Sequence, residues 1–391
     1  MKVATIKVGF VPLVDAAPLI VAQEMGFANE EGISLDLKRV QSWSEMRDRL
    51  WFGQIDAAHM LSPIPVAAAL GLGGGGSLIS AVSVLSVNGN VIGVSRALAN
   101  QLREVGHDFV FNDARAAGQA LIAAKGKQLR IGVPFPFSMH AELIFYWLTA
   151  LGFHAPQNVD IRTVPPPLMA NALKAGEIDA FCVGEPWGSK VVEMGLGELL
   201  LPGNAIWSFA PEKVLAVSND WVATQSDLCG RLIRAVWRAG RWLAKPTSRT
   251  LTAELLSRPD YLDLAPDIID RALFGNLVIS PAGDSRTVPG FVEFHRGAAT
   301  FPWRSQAEWI GLRLAARTGL DRVDAARLAR TVFLSDIHRS ALAETVADLP
   351  SASAKIEGAV EQDTEVASAA GTLMLRPDAF FDGRVFEPID Q

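Results

Sequence analysis

The sequence repeats itself at a spacing of about 123 residues, the distance from Gly9 to Gly132, and this repeat limits the folds open to the chain. Four segments of the first part recur later in the same order. The pairs are 8–12 with 131–135, 35–40 with 159–164, 53–57 with 176–180, and 91–95 with 214–218. One match between short apolar segments means little, but four collinear matches predict two copies of one structural unit.

Each copy has the pattern of strand, helix, strand, helix and strand. The first copy predicts strands over 7–11, 34–40 and 55–60 and helices over 18–26 and 44–52. The second predicts strands over 130–134, 159–164 and 178–183 and helices over 139–152 and 168–175. Strands that alternate with helices predict right-handed crossovers and a parallel sheet in each copy.

The predicted fold class is therefore α/β, with two lobes on either side of a cleft. The first lobe takes residues 1–92 and 216–391, and the second takes residues 93–215. The segments 91–95 and 214–218 are the predicted hinge crossovers between the lobes. A largely helical portion follows residue 213, with helices expected over 227–243, 265–274, 306–317 and 321–333.

Composition and charge exclude several classes of function. Hydrophobic residues make up 49% of the chain and charged residues 20%, as in folded globular proteins. The net charge of −6 argues against direct binding to nucleic acid. The sequence contains no run of 18 uncharged apolar residues, so membrane insertion is not predicted. Lys7 interrupts the start where a secretory signal needs an apolar core, so a cytoplasmic location is expected.

The two cysteines, Cys182 and Cys229, lie in no metal-ligand spacing, which fits a reducing compartment. The sequence predicts no metal and no cofactor. It also predicts no catalytic residue, because no nucleophile and base stand in a recognisable pattern. The glycine run 73–76 lacks the Lys and Ser or Thr of a phosphate loop.

Ligands of open α/β sheets bind beyond the carboxyl ends of the strands, so the repeat also predicts the cleft residues. The candidates that lie at strand ends, helix starts or crossovers are Trp43, Asn90, His140, Pro186 and Lys213. One ammonium, one imidazole, one indole and one carboxamide suit a small monovalent anion, with Lys213 as its counter-charge. A second buried cation would instead favour a dianion.

Each candidate also has a purely structural interpretation. Trp43 can be a packing residue, His140 a helix cap, Asn90 a turn residue beside Gly89, and Lys213 a solvated lysine. Structural roles are also expected for two further polar residues of the predicted cleft. They are Asp15, expected to cap a helix rather than act as a base, and Glu185, which can pair within its lobe.

At these positions the chain resembles the substrate-binding proteins of nitrate, nitrite and bicarbonate ABC transporters, which have the type II periplasmic-binding-protein fold. The segments that carry the resemblance are 9–20, 42–43 with 47–48, 55–65, 164–167, 179–187 and 211–213. The resemblance implies that Trp43, His140 and Lys213 contact the anion. The position of Asn90 is usually glutamine in that family, and the segment 135–140 departs from its glycine-rich turn.

Because no leader or lipoprotein cysteine is evident, the resemblance points most closely to the NasS-type cytoplasmic nitrate/nitrite sensors. It implies that the empty protein sequesters an RNA-binding antiterminator of the ANTAR type, and that nitrate or nitrite releases this partner. The alternatives are an exported component of a nitrate or bicarbonate transporter, a binder of aliphatic sulfonates, and an enzyme similar to the thiamine-pyrimidine synthases.

Overall fold

Two mixed β-sheets, one in each lobe, carry the core of the protein. The computed structural model describes residues 3–125, 128–368 and 371–389. The strands are β1 (Ala4–Phe10), β2 (Ile33–Arg39), β3 (Ala57–Leu61), β4 (Ile79–Asn88), β5 (Asn90–Ser95), β6 (Leu129–Val133), β7 (Val159–Thr163), β8 (Ala180–Gly184), β9 (Gly197–Pro202), β10 (Pro211–Ser218), β11 (Asn276–Val278), β12 (Ser285–Thr287), β13 (Val292–Glu293), β14 (Thr364–Ala367) and β15 (Thr372–Leu375).

Helices cover both faces of these sheets and form most of the C-terminal portion. They are α1 (Ala17–Glu24), α2 (Phe27–Glu30), α3 (Trp43–Trp51), α4 (Pro63–Ala69), α5 (Arg96–Glu104), α6 (Ala114–Lys125), α7 (Met139–Ala150), α8 (Met169–Lys174), α9 (Trp187–Glu193), α10 (Asn219–Thr224), α11 (Ser226–Leu243), α12 (Arg249–Leu256), α13 (Pro266–Phe274), α14 (Arg304–Thr318), α15 (Arg322–Arg330) and α16 (Ser335–Leu342). No helix in the described ranges is long and apolar enough to span a bilayer.

The larger sheet has the order β13-β4-β10-β3-β1-β2, and the smaller has the order β7-β6-β8-β5-β9. The three strands of each repeat pair in parallel, as the alternation of strands and helices predicts. The strands β5 and β10 run antiparallel to their neighbours, so neither sheet is wholly parallel. This difference arises because these two strands enter their sheets from the other lobe.

The sequence repeat is also a structural repeat, with the same register in both lobes. Val8 pairs with Ala57 in the first lobe, and Ile131 pairs with Ala180 in the second. Gly9 and Gly132, the equivalent glycines of the two copies, also have similar side chains packed against them. A Cβ atom on Gly9 would lie 2.6 Å from Met46 Sδ, and one on Gly132 would lie 2.8 Å from Met169 Sδ. In each lobe the glycine thus packs against the end of a methionine side chain from the second helix, which a Cβ atom would displace.

The chain crosses between the sheets at Gly89, which joins β4 to β5, and between the end of β9 at Pro202 and the start of β10 at Pro211. The expected domain boundaries at 92/93 and 215/216 fall inside β5 and β10, a few residues after these crossings. Gly89 has a φ of +94°, a conformation that favours glycine at the first crossing. The crossovers place the first residues of β5 and β10 at the cleft.

The C-terminal helices contact both lobes, not only the first. Arg234 of α11 forms an ion pair with Glu31 beside α2, as expected for a return to the first lobe. In contrast, Arg317 of α14 lies 2.6 Å from the buried Glu142 of α7, and the Tyr146 hydroxyl of α7 donates to Asp382. The C-terminal portion therefore holds the helix of the second lobe that begins beside the cleft.

Candidate anion-binding site

Seven polar or aromatic side chains converge between the two sheets, and each is at most 2% exposed. They are Asp15, Trp43, His59, Asn90, His140, Glu212 and Lys213. We call this set the Lys213 cluster. It lies beyond the carboxyl ends of β1, β3 and β8, where the topology rule places ligands of α/β sheets.

Local sequence determines how each lobe positions an aromatic side chain at the cleft. Trp43 and His140 both stand in the first turn of a helix whose preceding serine is the N-cap. The Ser42 hydroxyl accepts from the Glu45 N–H, and the Ser138 hydroxyl accepts from the Ala141 N–H. These caps fix where α3 and α7 begin and thereby set both aromatic rings toward the cleft.

Asn90 and Lys213 occupy equivalent positions in the two repeats. Asn90 pairs with Gly184 at the end of β8, and Lys213 pairs with Leu61 at the end of β3. Each is near the start of the strand that enters from the other lobe. The repeat therefore brings one carboxamide and one ammonium to corresponding places on the two sides of the cluster.

Lys213 lies between two carboxylates. Its Nζ is 2.8 Å from Asp15 Oδ2 and 2.9 Å from Glu212 Oε1, and it also stands 5.6 Å from the centre of the Trp43 ring. Burial lowers the pKa of Lys213, but the two carboxylates outweigh this effect and raise it. Lys213 is thus a charged residue already neutralised by protein, and not the free counter-charge that the sequence predicts.

Asp15 does not cap a helix through its side chain, contrary to the sequence-based expectation. Its Oδ1 lies 3.0 Å from His59 Nε2. Burial raises the pKa of Asp15, but the charge of Lys213, followed by His59, outweighs this effect and lowers it to about 2. Asp15 is therefore a carboxylate at neutral pH and holds both a lysine and a histidine.

Asn90 donates its amide Nδ2 hydrogen to Glu212 Oε2 over 2.6 Å, so the amide proposed to face an anion is bonded to protein. The Cys182 thiol lies 3.8 Å from its other amide atom, Oδ1, to which it donates. Burial, followed by the charge of Glu212, raises the pKa of Cys182, which keeps this thiol protonated. Asn90 therefore positions Glu212 rather than presenting a free donor.

His140 and Trp43 retain buried ring nitrogens without a hydrogen-bond partner in the described part of the chain. His140 Nδ1 lies 3.2 Å from Glu212 Oε1, within ion-pair distance but off the line of a hydrogen bond. Burial lowers the pKa of His140 to about 4, so the ring is neutral at pH 7. An unpartnered buried polar atom costs about 1–3 kcal/mol, which a ligand that bonds to it would recover.

Pro186 is the N-cap residue of α9 and is buried at the cleft edge. Its two neighbours join the lobes directly. The Val14 N–H donates to the Glu185 carbonyl over 2.9 Å, and the Trp187 indole N–H donates to the Pro12 carbonyl over 2.9 Å. The segment that contains Pro186 thus holds the cleft closed, while no contact of the Pro186 ring with the Lys213 cluster is among those described.

Sequence reasoning missed Asp15, His59 and Glu212 as members of this site. All three lie inside the segments that carry the family resemblance, but the sequence does not show that their side chains converge on Lys213. His59 accepts from the Val11 N–H at Nδ1 over 3.5 Å, which leaves its Nε2 hydrogen for Asp15. Within the described ranges, no group of three or more His, Cys, Asp or Glu residues is arranged to hold a metal.

Comparison with known proteins supports the fold and the family. The nitrate/nitrite binding protein NrtA of Nostoc sp. (strain PCC 7120) is 30% identical over 98% of this chain and 82% of its own length. The nitrate import ATP-binding protein NrtC of Synechococcus elongatus is 31% identical over 87% of this chain, which spans half of that relative.

Among solved structures, the periplasmic nitrate-binding protein NrtA from Synechocystis PCC 6803 superposes with a TM-score of 0.84 at 26% identity, over 99% of this chain and 96% of that one. This similarity confirms the periplasmic-binding-protein fold predicted from the repeat and the resemblance. The NMT1-like family matches residues 1–257, about two thirds of the sequence. The chain belongs to the NMT1-like family.

Proposed function

We propose that this protein binds nitrate, nitrite or a similar monovalent oxyanion between its lobes and delivers it to an ABC importer. The observation that carries the proposal is the pair of unpartnered nitrogens, Trp43 Nε1 and His140 Nε2, buried around Lys213. Oxyanions present several acceptor oxygens, and a buried cation with neighbouring N–H donors is the chemistry that holds them.

Closure of the lobes explains how such a site would bind and release its ligand. Trp43 and Lys213 belong to the first lobe, and His140 and Asn90 to the second. An anion that contacts both lobes binds the closed state more tightly, and only that difference in affinity shifts the population toward closure. The bonds from Val14 to Glu185 and from Trp187 to Pro12 are formed only when the lobes meet.

The names of the relatives favour a role in anion transport over a role as a sensor. NrtA is named for binding nitrate and nitrite, and NrtC for nitrate import. The cytoplasmic sensor that sequesters an ANTAR-type antiterminator stays a prediction of the resemblance, as does a cytoplasmic location. The experiments below therefore include results that would favour sensing over transport.

Calorimetry with nitrate, nitrite, bicarbonate and sulfate tests the ligand. We expect binding of nitrate or nitrite, with sulfate and bicarbonate much weaker. Lys213→Ala should abolish binding, and Trp43→Phe, which keeps the ring but removes the N–H, should weaken it by about tenfold. Lys190→Ala is the matched control, because Lys190 pairs with Glu193 on the surface. Unchanged affinity in both site variants would refute the site.

Two measurements separate transport from sensing. In cells that express the protein with a nitrate permease and ATPase, transport predicts uptake that depends on Lys213 and a protein found outside the cytoplasmic membrane. Sensing predicts a cytoplasmic protein and a complex with an antiterminator that nitrate dissolves. A complex indifferent to nitrate would refute the sensor.

A further inference from the structure

The Lys213 cluster has more negative than positive charge before any ligand enters. Glu212 accepts from the Asn90 amide and from Lys213, so both of its oxygens act as acceptors, as in a carboxylate. With Asp15 also ionised and both histidines neutral, one ammonium faces two carboxylates. The net negative charge of this site opposes the entry of a monovalent anion, and a positive charge that enters with the anion offsets this cost.

The ring of His140 is the group in position to receive that charge. Its Nδ1 lies 3.2 Å from Glu212 Oε1, and the negative charge of this carboxylate favours the ring hydrogen of the neutral imidazole on Nδ1. Nε2 then carries a lone pair and no hydrogen. A lone pair cannot donate to an anion oxygen, whereas a protonated Nε2 can.

We propose that anion binding in this cluster is coupled to the uptake of one proton, which His140 receives on Nε2. This inference rests on the proposed function. The proton comes from solvent and bonds to the Nε2 lone pair, giving an imidazolium whose Nδ1–H lies beside the Glu212 carboxylate and whose Nε2–H donates to the anion. The added proton and the monovalent anion cancel, so the net charge of the cluster is the same before and after binding.

Three charged groups face His140: Glu212 and Asp15 raise its pKa and so favour its protonation, whereas Lys213 lowers its pKa. Glu212 and Lys213 face it from β10, and Asp15 faces it from the turn after β1. Glu142, on α7 itself, is paired with Arg317 and does not face the cluster. Burial lowers the pKa of His140 to about 4. An anion beside Nε2 raises this pKa, so protonation accompanies binding.

Calorimetric titration with nitrate, which stays an anion across the working pH range, measures the coupling directly. At about pH 6, the observed heat in two cationic buffers of different ionisation enthalpy, Bis-Tris and imidazole, should give an uptake of about one proton per nitrate. Above the pKa of the empty site, the Kd should rise by up to about tenfold for each pH unit until the complex itself loses the proton.

Two variants separate this coupling from a structural effect. Glu212→Gln removes the excess negative charge, so nitrate should bind with little proton uptake and with a Kd that changes little with pH. His140→Gln retains an amide donor that cannot titrate, and it should also lose the uptake. Glu198→Gln is the control, because Glu198 of β9 pairs with Arg103 of α5 and is not a member of the Lys213 cluster. It should keep the full proton uptake.

Nitrate binding without proton uptake in the wild-type protein would overturn the coupling and leave the proposed function standing. Full uptake in His140→Gln would overturn the assignment of the proton to His140, and full uptake in Glu212→Gln would overturn the role of the Glu212 charge in the coupling. If nitrate, nitrite and bicarbonate all fail to bind at every pH, the proposed function fails, and the coupling fails with it.

Discussion

Replacing Lys213 by methionine tests whether the buried cluster is ionised as its geometry indicates. The substitution keeps the unbranched side chain but removes the ammonium that lies 2.8 Å from Asp15 and 2.9 Å from Glu212. At an effective dielectric constant near 20, each contact at these distances is worth roughly 6 kcal/mol before desolvation. Because removing one partner leaves buried carboxylates uncompensated, the free energy of unfolding should fall by about 3–5 kcal/mol.

Urea unfolding at neutral pH, followed by tryptophan fluorescence, measures this loss. Adding Glu212→Gln to Lys213→Met should recover part of the lost stability, because one of the two unpaired charges is gone. Lys190→Met is the matched control, since its ion pair with Glu193 is about one-third exposed and is worth about 0–1 kcal/mol. A loss below about 1 kcal/mol in Lys213→Met would refute the charged cluster and the reasoning built on it.

Three further predictions concern the crossing between β9 and β10, the buried His338, and the contact of Trp187 between the lobes. A Cβ atom on Gly203 would overlap the Asn90 amide, so Gly203→Ala should weaken nitrate binding in calorimetry, whereas Gly75→Ala, in open space, should not. Burial lowers the pKa of His338 to about 4. This pKa is below that of a histidine in the unfolded chain, so the contribution of the neutral ring to stability is present at neutral pH and is lost as the pH falls from about 6.5 to 4. His338→Gln removes the titrating group. In urea unfolding, the variant should lose about 3 kcal/mol less free energy of unfolding over this pH range than the wild-type protein. Trp187→Phe removes the indole bond to Pro12 and should speed nitrate dissociation in stopped-flow measurements, and an unchanged rate would exclude this bond from closure.

The repeat was sufficient to predict the core of both lobes. Glycine, apolar strand residues and capping serines act locally, so the predicted helix over 139–152 and strand over 159–164 agree closely with α7 and β7. The antiparallel direction of β5 and β10 was not predictable from local pattern. It depends on which sheet a strand joins after crossing between lobes, and alternating strands and helices carry no signal for that choice.

The sequence by itself also determined which residue types reach the cleft, because strand ends and helix starts are local features. The family resemblance then indicated Trp43, His140 and Lys213 among them. Only the tertiary structure decided the charge of the site. Asp15, in the turn after β1, approaches Lys213 on β10, and the Asn90 amide bonds across the lobes to Glu212, the neighbour of Lys213. Electrostatic energies depend on distances of a few ångströms and on burial, and residues far apart in sequence acquire these only when the chain folds.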